Sequence, residues 1–193
     1  TLQNADGTFL KGKFKEGKLD GVADLYKSLG DLLPIYRGPF KDGKFEGDHG
    51  VYRYGDGCVY EGQWKCGKRH GHGTFRLKNG TAAYEGAWEE DKMHGPGLAR
   101  ILGGVFKHCI YKGTYVHGKR HTLSGSPPGE ISDKNGKLMY RGGWKDDVFH
   151  NIEDENSSPA EWFHPESGET YVGGFLNGAR HGYGEYNFED GRE

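Results

Sequence analysis

Aromatic residues and glycines alternate with polar residues along most of the chain, in the frame aromatic-x-Gly-x-aromatic. A representative copy is Tyr60-Glu61-Gly62-Gln63-Trp64. Side chains of a β-strand alternate between its two faces, so Tyr60, Gly62 and Trp64 share one face and the polar residues share the other. The pattern therefore predicts a strand with rings and glycines on one face.

The residues that follow this frame predict the return strand of a β-hairpin. Gly71, Gly73, Phe75 and Leu77 recur with a period of two, so they also share a face. A ring that lies over a glycine of the next strand covers exposed backbone, which stabilises the pairing. Residues 60–80 are thus expected to form one hairpin, with the turn to the next hairpin at its end.

The frame is repeated seven times, at intervals of 24 to 31 residues, and the first copy has Leu10 in place of the leading aromatic. A single hairpin is marginally stable in water, so neighbouring copies are expected to stack and to share a core. The copies begin at Leu10, Tyr36, Tyr60, Tyr84, Tyr111, Tyr140 and Tyr171. A turn residue stands three positions after each second aromatic: Gly17, Gly43, Gly67, Asp91, Gly118, Asp147 and Gly178.

The Tyr-x-Gly-x-Trp frame, followed by Gly-x-x-x-Gly-x-Gly, resembles the MORN repeat (membrane occupation and recognition nexus). The resemblance implies an all-β fold: an elongated single-layer antiparallel sheet of tandem β-hairpins, with an open twisted groove along it. We expect one MORN-repeat array over residues 1–193. Asp190-Gly191 repeats the pair that precedes Tyr60, and a further frame would start at position 194, so we expect a fragment of a longer array or an end at a repeat boundary.

Composition agrees with a β-rich fold. The chain has 35 Gly, 12 Tyr, 10 Phe and 4 Trp in 193 residues but few aliphatic residues, which argues against a helical bundle or a doubly wound α/β enzyme. Cys58, Cys66 and Cys109 are odd in number and lack CxxC spacing, which is typical of reduced thiols in an intracellular protein. We expect a cytoplasmic location, with cytoskeletal or membrane association implied by the resemblance.

Three patterns that suggest chemistry are better explained by the repeat. Gly-x4-Gly-Lys occurs at the same place in four of the repeats, but none of these copies has the Ser or Thr, or the following helix, that a phosphate-binding loop requires. Histidines recur at the hairpin turns, where neighbouring copies would lie roughly 10 Å apart, too far to share one zinc ion. No nucleophile motif is present. We therefore expect no catalytic residue, metal or cofactor, and no enzymatic activity.

Charge is unevenly distributed although the net charge is only −2. Residues 61–120 carry an excess of positive charge, and residues 121–193 carry an excess of negative charge. A solvated polar face explains this, but so does a dipolar surface that orients a charged partner or binds anionic lipid. Nucleic acid is not expected. The basic patch comprises Lys65, Lys68, Arg69, Arg76 and Lys78.

The sixth copy departs most from the repeat, because a long insertion follows His150 and is succeeded by Trp162 and Phe163. One interpretation is a longer loop without functional consequence. The other is an irregular end that shapes a partner site, with Trp162 and Phe163 as anchors.

These patterns favour a non-catalytic scaffold or adaptor that binds a peptide or an amphipathic helix along an aromatic-glycine groove, in cytoskeletal, ciliary or membrane-linked assembly. Homodimerisation is compatible with the resemblance. The alternatives are a peripheral membrane module for anionic phospholipid, and a regulatory segment of a larger enzyme such as a lipid kinase or a SET-domain methyltransferase. The same rings are also expected to hold the sheet together. The candidate binding rings are Tyr60, Trp64, Phe75, Tyr84, Trp88, Tyr111, Tyr115, Trp162 and Phe163.

Overall fold

The computed structural model describes residues 2–151, 158–164 and 166–188. The chain divides into two compact units, Thr1–Lys92 and Met93–Glu193. The described residues form strands, turns and loops without any helix, so none of them forms a helix able to cross a bilayer. The all-β class is thus confirmed, whereas one continuous array over residues 1–193 stays a prediction.

In the first unit, consecutive strands pair antiparallel in chain order. The short β5 and the longer β6 both pair with β4, and the remaining strands follow one another as hairpins and connections. The strands are β1 (Leu2–Gln3), β2 (Phe9–Lys15), β3 (Lys18–Tyr26), β4 (Tyr36–Lys41), β5 (Lys44–Phe45), β6 (Gly47–Arg53), β7 (Val59–Lys65), β8 (Lys68–Arg76) and β9 (Ala82–Glu89).

The second unit repeats this plan with shorter strands. β11 pairs with β10, β12 and β13, and the sheet continues through β14, β17, β18 and β19, while β15 and β16 form a separate two-stranded hairpin. The strands are β10 (Lys92–Arg100), β11 (Ile110–Val116), β12 (Lys119–Arg120), β13 (Gly129–Ser132), β14 (Leu138–Gly142), β15 (Trp144–Lys145), β16 (Val148–Phe149), β17 (Ala160–Phe163), β18 (Thr170–Leu176) and β19 (Ala179–Asn187).

The core of each unit is a row of edge-to-face aromatic rings, which we call the ring ladder. Tyr60 meets Trp64 of its own repeat at 5.1 Å and Trp88 of the next repeat at 5.3 Å, with near-perpendicular planes. This geometry is the favoured one for aromatic pairs. The predicted ring-over-glycine packing is confirmed, because a methyl group added at Gly73 would overlap the Tyr60 ring. The ladder comprises Tyr36, Phe40, Tyr60, Trp64, Tyr84 and Trp88 in the first unit, and Tyr111, Tyr115, Tyr140, Trp144, Tyr171 and Phe175 in the second.

A β-bulge interrupts the hairpin of the third repeat, and sequence alternation does not predict it. Gly62 pairs with Gly73 and Trp64 pairs with Arg69, so Gln63 alone faces the three residues 70–72. The Gln63 Oε1 atom accepts a hydrogen bond from the His72 backbone N–H at 2.6 Å, which replaces a lost ladder bond. The first and seventh hairpins shift register at the equivalent place. The bulge bends each hairpin just before its turn.

Candidate functional site

The predicted binding rings lie mostly in the core. The six that belong to the ring ladder expose between 0% and 6% of their surface, and Phe75 is half-buried. The indole N–H groups of Trp64 and Trp88 donate to the backbone oxygens of Gly50 and Gly73. These rings therefore pack against one another and leave little surface for a partner. Partner binding by them stays a prediction. The six are Tyr60, Trp64, Tyr84, Trp88, Tyr111 and Tyr115.

Two members of the predicted basic patch are already paired. Lys68 Nζ lies 3.1 Å from a Glu90 carboxylate oxygen, and Arg69 Nε lies 3.1 Å from Asp91 Oδ1. Their charge is thus compensated locally. The other members are exposed: Lys65, Arg76 and Lys78.

The second unit contains an apolar cleft of about 500 Å³, which we call the Trp162 cleft. Aromatic side chains from three different repeats converge on it, and two polar side chains, His164 and Arg180, stand among them. The lining residues are Val105, Phe106, Phe149, Trp162, His164, Phe175, Gly178, Ala179 and Arg180. Concave, largely apolar sites with a few polar groups are typical of ligand-binding pockets.

One wall of the Trp162 cleft comes from the loop 101–109 between β10 and β11. Its ends are joined by two backbone bonds, Ile101 N–H to Cys109 O at 2.9 Å and His108 N–H to Ile101 O at 2.8 Å. The closed loop leaves Val105 62% exposed. It also brings the ring centroid of Phe106 to 6.2 Å from that of Phe149. No local sequence pattern marks this loop as part of a site, because Phe149 lies far from it along the chain.

The two predicted anchors of the sixth repeat are both half-buried. Trp162 lines the Trp162 cleft, with its ring 5.6 Å from His164. Phe163 packs under the ammonium group of Lys137, which lies 3.6 Å from the ring centroid. Both residues also border a smaller depression of about 270 Å³. The insertion itself, residues 152–157, lies outside the described residues.

A second feature concerns the residue five positions after the second aromatic of each repeat, which we call the cap position. Phe45 stacks on Tyr36 at 3.8 Å and Phe149 stacks on Tyr140 at 4.1 Å. In these two repeats the cap residue therefore covers the first ring of the same repeat. The cap residues are Leu19, Phe45, Arg69, Met93, Arg120, Phe149 and Arg180.

Arginine caps also bind the following repeat. The guanidinium carbon of Arg69 lies 4.3 Å from the Trp88 ring centroid, and its Nη2 donates to the Asp91 backbone oxygen at 2.7 Å. Arg120 lies 4.2 Å from the Trp144 ring and donates to Asp147 in the same way. Each arginine thus contacts a tryptophan ring of the following repeat and the carboxylate of the Asp three residues after that tryptophan.

The type of residue at the cap position of one repeat correlates with the type of residue at the turn position of the next repeat. At all six junctions between described repeats, the turn residue's N–H donates to the preceding cap residue's backbone oxygen, at 2.8 to 3.2 Å. The turn residue always has a positive φ, which favours glycine. It is nevertheless Asp91 (φ 70°) and Asp147 (φ 73°) after the arginine caps. The pairs are Leu19–Gly43, Phe45–Gly67, Arg69–Asp91, Met93–Gly118, Arg120–Asp147 and Phe149–Gly178.

Comparison with protein families gives the identity of the repeat. The MORN repeat model matches residues 36–59, 60–82, 84–99, 111–121 and 171–191. This chain is a MORN-repeat protein. The MORN segments coincide with repeats two to five and seven, so the resemblance noted from the sequence is confirmed. Comparison with curated proteins gives no match.

The MORN matches omit the first and sixth repeats, but the structure shows the same packing in the sixth. Tyr140 meets Trp144 at 5.2 Å with an interplanar angle of 77°, and its hydroxyl donates to the Gly143 backbone oxygen at 2.8 Å. The first repeat keeps the hairpin of β2 and β3, with Leu10 replacing the tyrosine. The first and sixth repeats therefore keep the fold of the repeat, although their sequences are less regular.

Proposed function

We propose that this MORN-repeat protein is a non-catalytic protein-binding module, and that the Trp162 cleft is its contact surface. The observation that carries the proposal is the convergence of Phe106, Phe149 and Trp162 on an open apolar cavity. The rings of the ring ladder, by contrast, are buried against one another. Aromatic residues that remain accessible in a concave site are the typical anchors of protein interfaces.

The partner suited to this cleft offers an apolar anchor beside an acidic group. The apolar lining suits an aliphatic or aromatic side chain, and Arg180 at the cleft suits a carboxylate. A peptide segment or an amphipathic helix supplies both. MORN-repeat proteins are known as protein- or lipid-binding modules, which supports a binding role.

The test is an affinity capture from native lysate at physiological salt, with mass spectrometry as the readout. Wild-type chain is compared with Trp162→Ala and Phe106→Ser, and with the control Leu123→Ser, which alters an exposed leucine of the same unit outside the cleft lining. We expect the cleft variants to lose a stoichiometric protein that wild type and Leu123→Ser retain. Capture of the same proteins by all four chains would contradict the proposal.

A further inference from the structure

The histidines near the turns take part in a second contact between neighbouring repeats. We call the residue two positions after the second aromatic of a repeat the pre-turn position, and the residue six positions after it the post-cap position. In both units, the post-cap residue of one repeat contacts the pre-turn residue of the next. Such contacts join Glu46 to Cys66, His94 to His117, His121 to Asp146, and His150 to Asn177.

The backbone at the pre-turn position has the same conformation in each repeat, with φ between 47° and 52°. From this position the backbone N–H donates to the post-cap side chain of the preceding repeat. The Cys66 N–H donates to Glu46 Oε2 at 2.7 Å, and the Asn177 N–H donates to His150 Nδ1 at 3.4 Å. The fold of the repeat thus places two side chains beside each other, and the sequence decides their chemistry.

One junction brings two imidazole rings together. The ring centroids of His94 and His117 lie 5.4 Å apart, with an interplanar angle of 58°. A ring nitrogen of each lies within 4.8 Å of the other. Histidines at equivalent positions of neighbouring repeats are separated by roughly 10 Å, two strand spacings. His94 and His117 hold different positions, so this spacing does not separate them.

The orientation of His94 suits a metal ligand. Its Nδ1 atom accepts the His117 backbone N–H at 3.5 Å, so in the neutral ring this nitrogen carries a lone pair. The hydrogen bond is long, so an ion can replace it at little cost. Two nitrogens on one tetrahedral ion lie roughly 3.4 Å apart. His117 is exposed, so rotation of its side chain can close the remaining distance.

We propose that His94 and His117 bind one divalent ion of copper, nickel or zinc, with water at the other coordination positions. Imidazole nitrogen is a preferred ligand of these ions, whereas Mg²⁺ and Ca²⁺ prefer oxygen. The bound ion links strand β10, which carries His94, to the turn after β11, which carries His117. Neither histidine lines the Trp162 cleft, so the site is additional to the proposed protein-binding function.

The test is calorimetric titration of the whole chain with Cu²⁺ near neutral pH, with Mg²⁺ as the baseline for oxygen ligands. Wild type is compared with His117→Asn, which installs the histidine–asparagine pair of His150 and Asn177. Asn tolerates a positive φ, so the turn should be kept. Loss of one of two chelating imidazoles should weaken the tightest site by at least about tenfold. The control His49→Asn removes an exposed histidine of the first unit and should bind as wild type does.

The same geometry allows a gain of binding to be tested. Asn177→His places a second imidazole beside His150 and recreates the His94–His117 pair at another junction. This variant should bind a second Cu²⁺ ion with an affinity close to that of the first. Pulsed electron paramagnetic resonance at a substoichiometric amount of Cu²⁺ should show two coordinated imidazole nitrogens in wild type and one in His117→Asn.

A tenfold loss in His117→Asn together with an added site in Asn177→His supports the inference. Equal affinity of wild type and His117→Asn, an equal loss in His49→Asn, or no added site in Asn177→His would overturn it. A single coordinated imidazole in wild type would do the same without any variant. Circular dichroism of each metal-free variant should match wild type, which shows that the variants are folded. Capture of protein by the Trp162 cleft is expected whichever result is obtained.

Discussion

At the residue scale, the arginine–aspartate pairs resolve a local conflict. The turn position has a positive φ, which costs a non-glycine residue about 1 kcal/mol or more, less for Asp than for most side chains. Asp91 and Asp147 nevertheless occupy it, and each accepts a hydrogen bond from an arginine Nε and from the same arginine's backbone N–H. The contacts of the carboxylate offset the backbone strain, so an Asp at this turn position depends on the arginine cap before it.

This pairing predicts strong coupling between Arg69 and Asp91. Arg69→Met leaves Asp91 at φ 70° without its partner and should lower the free energy of unfolding by about 1 to 3 kcal/mol. The double variant Arg69→Met with Asp91→Gly recreates the pair seen at Met93 and Gly118, and it should recover most of that loss. Urea denaturation of both single variants and the double variant gives the coupling energy. Additive losses would contradict the pairing.

At the element scale, each hairpin is held to the next through buried tyrosines. Tyr60 is fully buried, and its hydroxyl donates to the Gln63 backbone oxygen at 3.0 Å across the bulge. Burial raises the pKa of this tyrosine above the ordinary value of 10.0. The pKa values of five other tyrosines are raised for the same main reason: Tyr36, Tyr54, Tyr84, Tyr111 and Tyr140.

The raised tyrosine pKa values predict alkaline unfolding. Above pH 10 an unfolded chain ionises these tyrosines while the folded chain keeps them protonated, so the unfolded state binds fewer protons and stability falls as pH rises. Each such tyrosine lowers the free energy of unfolding by about 1.4 kcal/mol per pH unit in this range. The stabilisation that these buried, protonated tyrosines provide is fully present below about pH 10. Absorbance at 295 nm and far-ultraviolet circular dichroism should therefore change together on titration. Ionisation of all tyrosines near pH 10 with the β signal retained would show that the rings are accessible.

Sequence alternation predicted the hairpins because a strand's period of two is a local property, and the ring-over-glycine contact of Tyr60 and Gly73 follows directly from it. The bulge at Gln63 could not be predicted, since alternation continues unbroken across it. The contact of Phe106 with Phe149 depends on tertiary structure, which no local pattern encodes. The Arg69–Asp91 link did leave a signal: arginine at the cap position precedes aspartate at the next turn, and apolar caps precede glycine.

At the scale of the whole molecule, the uneven charge does not make a simple basic surface. In the predicted basic patch, Lys68 and Arg69 are paired with Glu90 and Asp91. Exposed ion pairs add little to stability, but they remove charge that a lipid surface would otherwise attract. This favours a protein partner over a membrane.

The compensated charge predicts weak membrane binding. At physiological salt the chain should not co-sediment with vesicles that contain phosphatidylserine, and the triple variant Lys65→Glu, Arg76→Glu, Lys78→Glu should behave in the same way. Vesicles that contain only neutral lipid provide the baseline. Co-sedimentation of wild type that the triple variant abolishes would favour the peripheral membrane module instead.

The junction pairs also constrain how such a chain changes its length over generations. An unequal exchange that removes the third repeat alone places Phe45 before Asp91, which gives the acidic turn a neighbour that cannot bind it. Removal of the third and fourth repeats together places Phe45 before Gly118, a combination of the kind already present at Phe45 and Gly67. The chain should therefore tolerate the gain or loss of some numbers of repeats and not of others. Which lengths persist depends on which cap and turn residues an exchange brings together.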